Sequence, residues 1–571
     1  MNWGEITLKK ALSFQKTSRV REIPLSLFAA NSYLEAFDFA GLINRSVTWD
    51  RQRSKVSPGQ LAKSIVLSTF HGGRAPLLGI ERQLAAMDVE YLFGNGHTAA
   101  DFSDDSLARM LDKVALANPE TIFSTLSLSC LTQFQIPIRR LHADTTSISL
   151  QGDYSACEEE GYKGLSICRG YSKDNRPDCK QVIVGKVVSE QGIPVSSMVL
   201  DGNTSDVEFN RLALSTLAQT FGERMQRMVY IADSKLVNGP TIRILCERKD
   251  SDNRPAPIRF ISRAPDSFAG KVVSRLKRQA YAQNQWENQG SFGQGKSSAV
   301  YQTQTCWETV DGQELRFVVV KTSAGTERLE RILQNERLQL QDAIRDLEAI
   351  RFSCEPDAHG ALSRFTKAHR RIHHRIEWDI EQRTEEKRGR GNPGKNPKPP
   401  EIWHTWHVRG RIVGLDEQQV AELQQKEESF VLISNVPESQ LGDRELLREY
   451  KEQHVVEVQF RMLKQPAIAN AIFLKTPARI AALMMLLSVA LLIRGLIQYQ
   501  IRHRLAGIPT APRIGVNRTA LKNPTAEYMI QELKDVRLIR TDNHQFTCNY
   551  LTDRDLYRLT AWMDLLDLNM G

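Results

Sequence analysis

Asp144, Asp233 and Glu457 are the residues whose types and settings best fit chemistry in this chain. Asp144 lies inside the β-branched run Arg140–Leu150, Asp233 closes the run Met228–Ala232, and Glu457 sits on a polar helix far downstream. Brought to one point, three carboxylates repel one another and need compensating cations, and Mg²⁺, which takes hard oxygen ligands, suits them. Two such ions about 4 Å apart activate a water and stabilise a leaving oxygen in phosphoryl transfer. Taken singly, an Asp at a strand end reads as a turn residue and a Glu on a charged helix as a solvated one. The case therefore rests on the elements that carry them.

The helix of Glu457 is expected from Asp443 to about Lys464, stopped by Pro466. Tyr450, Gln453, Glu457 and Lys464 stand at offsets 0, +3, +7 and +14 on it, and at about 100° per residue they share one stripe about 60° wide, with Arg461 beside it. One face then carries a phenol, an amide, a carboxylate and two cations, which suits a metal ligand with phosphate-binding neighbours. An ordinary polar surface has the same composition.

The two aspartates need a sheet. Arg140–Leu150, Gln181–Val188 and Ile193–Leu200 read as strands, and the short turn at Gln191-Gly192 makes the second and third an antiparallel hairpin. A helix over Asp206–Phe221, a strand to Ala232, a helix over Pro240–Arg248 and a strand at Ile258–Ser262 follow. This order predicts an α/β fold in which a mixed sheet is flanked by helices. In such a sheet the first and fourth strands can be neighbours, and a later helix can cross above them.

Around this core the chain divides by character. Residues 1–135 read as a helical N-terminal domain with possible DNA-end binding; a packing or dimerisation domain is the equal alternative. Ser57-Pro58-Gly59-Gln60 opens one of its helices with a capping box, Ser103-Asp104-Asp105 another and Asn118-Pro119 a third. The core is expected in two parts, 136–265 and 429–510, around an insertion at 266–428. The insertion shows strands at Ala299–Gln304 and Leu315–Lys321, then a charged helical stretch from Glu327 to about Ile376. Residues 511–571 form a C-terminal tail without a readable motif.

Composition narrows the class. In 571 residues, 41% hydrophobic content excludes disorder along the whole chain. Lys and Arg number 76 against 67 acids, and this net charge of +9 fits a polyanionic partner without requiring one. The eight cysteines form no CxxC pair, which argues against a zinc ribbon or disulfide scaffold and for buried thiols in a reducing compartment. The N-terminus has no apolar signal core, and the run Ile480–Ile493 is shorter than the ~20 residues that span a bilayer. The expectation is a cytoplasmic protein with a buried apolar helix and no membrane partner.

The motifs resemble those of prokaryotic insertion-sequence transposases of the DDE type, with a ribonuclease-H-like catalytic domain and a long insertion before the last acid. Their signature Tyr-x2-Arg-x3-Glu-x6-Lys is matched by Tyr450, Gln453, Glu457 and Lys464 in YKEQHVVEVQFRMLKQP, with Gln in place of the Arg. HADTTSISL around Asp144, GYSKDNRPDCKQ ending at Gln181, LDGNTSD at 200–206, YIADSKL at 230–236 and FLKTPARIAALMMLL after the catalytic helix are similar to this group. The resemblance covers about 135–265 and 430–500 well, the first 130 residues loosely and the tail weakly. It implies that Asp144, Asp233 and Glu457 bind two Mg²⁺ ions, with Mn²⁺ able to substitute. It also implies that Tyr450, Gln453, Arg461 and Lys464 lie along the DNA backbone, and that Lys173, Arg176 and Lys180 belong to a loop near DNA. A solvated basic loop is the equal alternative for these last three. The implied activity is cleavage at transposon ends followed by attack of the freed 3′ hydroxyl on target DNA. The implied partners are the terminal inverted repeats, target DNA and a second copy in the paired-end complex, on the nucleoid in the cytoplasm. A related nuclease without strand transfer and an inactive DNA-binding derivative are the rival readings.

Other motifs are weaker. His369 and His373 at i, i+4, with His374 adjacent, have a zinc spacing if that stretch is helical, but lie among many cations. Trp403, His404, Trp406 and His407, like Trp307, either stack on bases or pack on the insertion. The basic loop 387–399 carries Lys387, Arg388, Arg390, Lys395 and Lys398 with no acid, and its Gly and Pro content excludes regular structure. Each phosphate that it neutralises contributes about 0.9 to the log–log salt slope of DNA binding. Deleting the loop is therefore expected to flatten that slope, measured by titrating DNA at several salt concentrations; an unchanged slope would identify a solvated linker.

Overall fold

The computed structural model describes residues 22–71, 75–158, 162–250, 252–269, 271–293, 298–387, 401–465, 472, 474–515, 519–541, 545–548 and 553–568. The chain forms two compact units, residues 1–262 with 448–571, and residues 263–447. The fold is mixed α/β, with a mixed sheet flanked by helices.

The first unit opens with β1 (Glu22–Pro24) and seven helices: α1 (Leu25–Ala36), α2 (Phe39–Ser46), α3 (Pro58–Ser68), α4 (Leu77–Ala85), α5 (Val89–Phe93), α6 (Asp104–Leu116) and α7 (Pro119–Gln133). Side-chain caps start five of them, Asp38 and Asp88 capping α2 and α5. Ser57 Oγ accepts the Gln60 N–H at 3.2 Å, Ser103 Oγ that of Ser106 at 3.4 Å, and Asn118 Oδ1 that of Glu120 at 3.1 Å. The expected capping box at Gln60 is not completed, since its Oε1 is buried without a partner among the described residues. Asn44 ties that helix start instead, accepting the Gly59 N–H at 2.8 Å. Gly59 is required there, because a Cβ would lie 2.0 Å from the Ala40 carbonyl oxygen.

The core strands are β2 (Arg140–Leu150), β3 (Lys180–Ser189), β4 (Pro194–Leu200), β5 (Val229–Ala232) and β6 (Arg259–Ala264), in spatial order β4-β3-β2-β5-β6. β3 runs antiparallel to β2 and β4, whereas β2, β5 and β6 are parallel. Helices α8 (Asp206–Phe221) and α9 (Gly239–Cys246) form the crossovers. α8 is capped by Ser205 Oγ and lays Phe209 against Gly185, where a Cβ would clash at 2.2 Å.

The second unit holds α10 (Val272–Gln283), β7 (Glu287–Phe292), β8 (Ala299–Val310), β9 (Gln313–Thr322), α11 (Ser323–Glu348), α12 (Glu355–Ala368), β10 (His374–Lys387), β11 (Glu401–Leu415), α13 (Glu417–Glu428) and β12 (Ser429–Ser434). β12, β9, β8 and β7 form an antiparallel series, and β10 and β11 a separate hairpin. This unit continues to Leu447, past the expected boundary at 428, because β12 pairs with β9 along its whole length. Two helices and the start of a strand replace the single helix expected over 327–376. Phe352 bridges to Trp406 at the break, and Leu347, Ala358, Ala361 and Val408 form one apolar cluster around it. Trp403, His404, Trp406 and His407 accordingly lie in a strand.

The remaining elements are α14 (Asp443–Lys451), α15 (His454–Leu463), α16 (Pro477–Ala506), α17 (Ala526–Leu533), β13 (Arg537–Arg540), β14 (Phe546–Cys548) and α18 (Asp553–Leu566). β13 pairs with β1 and β14, so the tail closes on the first strand of the chain. α16 is much longer than the apolar run within it. By length and composition it could cross a membrane, yet its apolar segment is 94% buried in the protein. Arg494 inside it pairs with Glu527 at 2.7 Å, donates to the Thr69 carbonyl at 2.7 Å and lies over the Phe70 ring. The eight cysteines are free; Cys130 and Cys157 are buried and the other six half-buried.

α16 also covers a lysine. Lys186 Nζ is buried and donates to Ser488 Oγ at 2.8 Å and Ser197 Oγ at 3.3 Å, with no carboxylate partner among the described residues. Burial pushes its ammonium down to about 7. Between about pH 7 and 10 the unfolded chain therefore holds a proton that the folded site does not, and stability rises with pH. Lys186→Met is expected to stabilise by about 1–3 kcal/mol near pH 7. The advantage should shrink toward pH 10 in denaturant melts; a constant difference would mean that Lys186 folds with its proton.

Candidate active site

The parallel pairing of β2 with β5 places Ala143 opposite Ala232. Asp144 and Asp233, each the next residue, therefore stand side by side where β5 ends. Asp144 Oδ1 accepts the Thr145 N–H at 2.7 Å. Asp233 Oδ1 accepts the Lys235 N–H at 3.1 Å, and its carbonyl accepts the Ser262 hydroxyl at 2.7 Å.

A third carboxylate and a cation complete this cluster. Asp206, in the first turn of α8, accepts the Thr145 hydroxyl at 2.5 Å. Lys173 Nζ lies 2.9 Å from the Thr145 carbonyl, 2.7 Å from its Oγ1, 3.3 Å from Asp206 Oδ1 and 3.5 Å from Asp144 Oδ1. Burial raises the Asp144 carboxyl to about 6; Lys173 and the Thr145 N–H oppose the rise, and the charges of Asp233 and Asp206 add to it. Asp233 is raised too, by burial and by Asp206, against its Lys235 hydrogen bond and the field of Lys173. Asp206 was not singled out from the sequence, although LDGNTSD was. An acid beside a helix cap reads as a partner for the helix dipole, and nothing local tells it from one that faces a site.

Glu457 is exposed on the helix that follows α14. α14 and α15 are two helices, joined at Glu452-Gln453 by short-range bonds such as Val456 N–H to the Gln453 carbonyl at 3.2 Å. The single straight stripe expected from Tyr450 to Lys464 is thus bent. Tyr450 lies in the last turn of α14, and Gln453 caps α15 without a side-chain capping hydrogen bond. α15 packs Val456 and Phe460 on Val188, and Gln459 Nε2 donates to the Gly192 carbonyl at 2.7 Å. Val188 shares a sheet face with Lys186, the cross-strand partner of Asp144, so α15 lies over the face to which Asp144 belongs. Its apolar side sets its rotation and leaves Glu457 and Arg461 exposed. Among the described residues no three His, Cys, Asp or Glu side chains are arranged to hold a metal ion.

Lys464, at the end of α15, is ion-paired with Asp174 at 2.5 Å. Arg176 pairs with Asp178 at 2.8 Å, and Lys180 Nζ donates to the Asp153 carbonyl at 2.5 Å. His142, two residues before Asp144, is buried under α15 with neither ring nitrogen bonded among the described residues. Burial, then the charges of His454 and Arg140, push it down to about 4. In the second unit, His369 caps α12 and His373 lies beyond it, so the helical zinc spacing does not exist. His373 and His374 instead direct Nδ1 at the Glu336 carboxylate, at 3.0 and 2.7 Å. The basic loop lies, after Lys387, outside the described residues.

Residues 25–128 match a family described as a domain of unknown function, DUF4277, a domain common in transposase-like proteins. No curated protein matches the chain.

The raised Asp144 carboxyl has a consequence for stability. Between about pH 4 and 6 the folded site holds a proton that the unfolded chain has lost, so stability falls as pH rises through this window. Asp144→Asn is expected to be the more stable protein above pH 6 without metal, by about 2–3 kcal/mol at 1.36 kcal/mol per pKa unit. Melts from pH 4 to 8 should show that gap opening between pH 4 and 6. A gap independent of pH would mean that the carboxyl is not raised.

Proposed function

We propose that the chain is an insertion-sequence DNA transposase of the DDE type, with a ribonuclease-H-like core, acting on its transposon ends and on target DNA in the cytoplasm. The observation that carries this reading is the juxtaposition of Asp144, inside β2, with Asp233, just past the end of the parallel strand β5, under a helix that carries Glu457 and Lys464. Three antiparallel strands continued by two parallel ones support the ribonuclease-H-like assignment. The DUF4277 match supports the transposase class.

The donor set fits a divalent cation at the aspartates. Two half-buried carboxylates are both raised, and a lysine ammonium lies against one of them. Asp144 and Asp233 would hold Mg²⁺, or Mn²⁺ in its place, with Glu457 joining from α15. Bound there, two ions would activate the attacking oxygen and stabilise the leaving one. Lys464 and Arg461, with Tyr450 in the last turn of α14 and Gln453 at the start of α15, would hold the DNA backbone and fix the scissile phosphate beside the acids. A dimer would hold two ends together for transfer.

The exposure of Glu457 favours one rival: a DNA-binding derivative without catalysis. Cleavage of end-containing DNA with Mg²⁺ separates the two. The wild type is expected to cut, and Asp144→Ala, Asp233→Ala and Glu457→Ala to lose cutting while still binding DNA. Lys464→Ala, which breaks a partly exposed ion pair and so costs little stability, should lower cleavage on the order of 10²-fold by misplacing the phosphate. Near-normal cutting by any of these variants would remove that residue from the site, and a wild type that binds ends without cutting would favour the rival.

A further inference from the structure

Lys173 and Asp174 are neighbours in an exposed loop, yet each turns its charged group inward to a different part of the candidate site. Every residue from Lys173 to Asp178 is exposed overall. The Lys173 and Asp174 side chains, however, keep only 29% and 31% of their accessible area, against 51% and 63% for Arg176 and Asp178. Lys173 inserts its ammonium among Thr145, Asp206 and Asp144. Asp174 sets its carboxylate on Lys464. The loop is pinned between them, with the Lys173 N–H on Ser147 Oγ at 2.9 Å and the Asp174 and Arg176 N–H groups on Ser172 Oγ at 3.3 and 3.1 Å.

We propose that Lys173 and Asp174 form an internal stand-in for both ligands: the ammonium takes the place of a divalent cation against Asp144, and the carboxylate takes the place of a DNA phosphate against Lys464. The inference rests on the reading of this site as a metal-dependent DNA site. Each contact is a partly exposed ion pair, weak enough to be exchanged for a stronger ligand. A divalent cation at Asp144 repels the Lys173 ammonium. A phosphate at Lys464 likewise repels the Asp174 carboxylate. Consecutive residues cannot move independently, so the arrival of either ligand loosens the loop's hold on the other subsite. Metal and DNA then bind with positive coupling, equal in both directions. Without them the loop occupies both subsites.

The test uses the full chain, with Mn²⁺ and a mixed-sequence DNA duplex as probes. Mn²⁺ binding is followed by electron paramagnetic resonance and duplex binding by fluorescence anisotropy. In the wild type Mn²⁺ should tighten duplex binding by a factor within the usual range of about 5–150. Lys173→Met should bind Mn²⁺ roughly tenfold more tightly without DNA, a gain of one pK unit in a site relieved of a like charge. Lys173→Arg should stay near the wild type. Asp174→Asn should tighten duplex binding without metal, and this gain should vanish when Lys464 is also replaced by Met. Asp178→Asn, in the same loop but paired with Arg176, controls for simple loss of negative charge. The double variant Lys173→Met/Asp174→Asn should lose most of the coupling. Unchanged or weaker Mn²⁺ binding in Lys173→Met would overturn the proposal. So would a gain in Asp174→Asn that persists without Lys464 or is matched by Asp178→Asn. If Mn²⁺ binds in the wild type but not in Asp144→Asn, the metal site stands whatever the loop does; if it binds neither, the metal site and the proposal fall together.

Discussion

Two carboxylates side by side where the ladder between neighbouring parallel strands ends repel each other, and burial raises the cost of charging either. Everything near Asp144 and Asp233 answers to that constraint. The Thr145 and Lys235 amides donate to them, and Lys173 reaches in from a distant loop to Asp144. Asp206 enters the same neighbourhood from the start of α8, adding negative charge and giving the ammonium a second counter-ion. A structure built only for stability would carry apolar residues there. Two half-buried acids with raised carboxyls at this spot are what the proposed cation site rests on.

The same economy of charge runs through the rest of the first unit. Lys186 is the cross-strand partner of Asp144, yet its ammonium turns toward α16 and meets only hydroxyls. His142 shares the face of Asp144 and remains neutral beneath α15. Arg494 crosses the apolar core inside α16 with its charge met by Glu527. The helices that cover the sheet are thus tied to it by polar groups as well as by apolar contact. α15 is held between them by Val456, Phe460 and Gln459, so its rotation is set by packing, and the exposure of Glu457 follows from that rotation.

Periodicity and punctuation along the chain were sufficient for the five core strands, the antiparallel hairpin of the second and third, and the helix at the end of LDGNTSD. They also marked the helix starts at Ser57, Ser103 and Asn118, since a cap is decided by residues within one turn. The pairing of Asp144 with Asp233 was legible because strand order and register follow from alternation and crossover length. Legibility ended where distant segments compete. The Asp443–Lys464 helix breaks at Glu452-Gln453, and the charged stretch after Glu327 divides around Phe352 and turns to strand at His374. In each case the polar pattern is compatible with one long helix, and tertiary packing selects shorter elements.

The sequence by itself determined which acids and bases are available, which elements carry them and which aspartates can stand on neighbouring strands, because these depend on local spacing and strand order. Only the tertiary structure decided which groups neutralise one another. Asp206 and Lys173 arrive beside Asp144 from separate segments, Asp174 takes Lys464, and Glu457 stays at the surface, because α15 is oriented by its apolar contact with β3. Charge pairing between segments is a matter of ångström distances set by packing, and a one-dimensional pattern does not contain those distances.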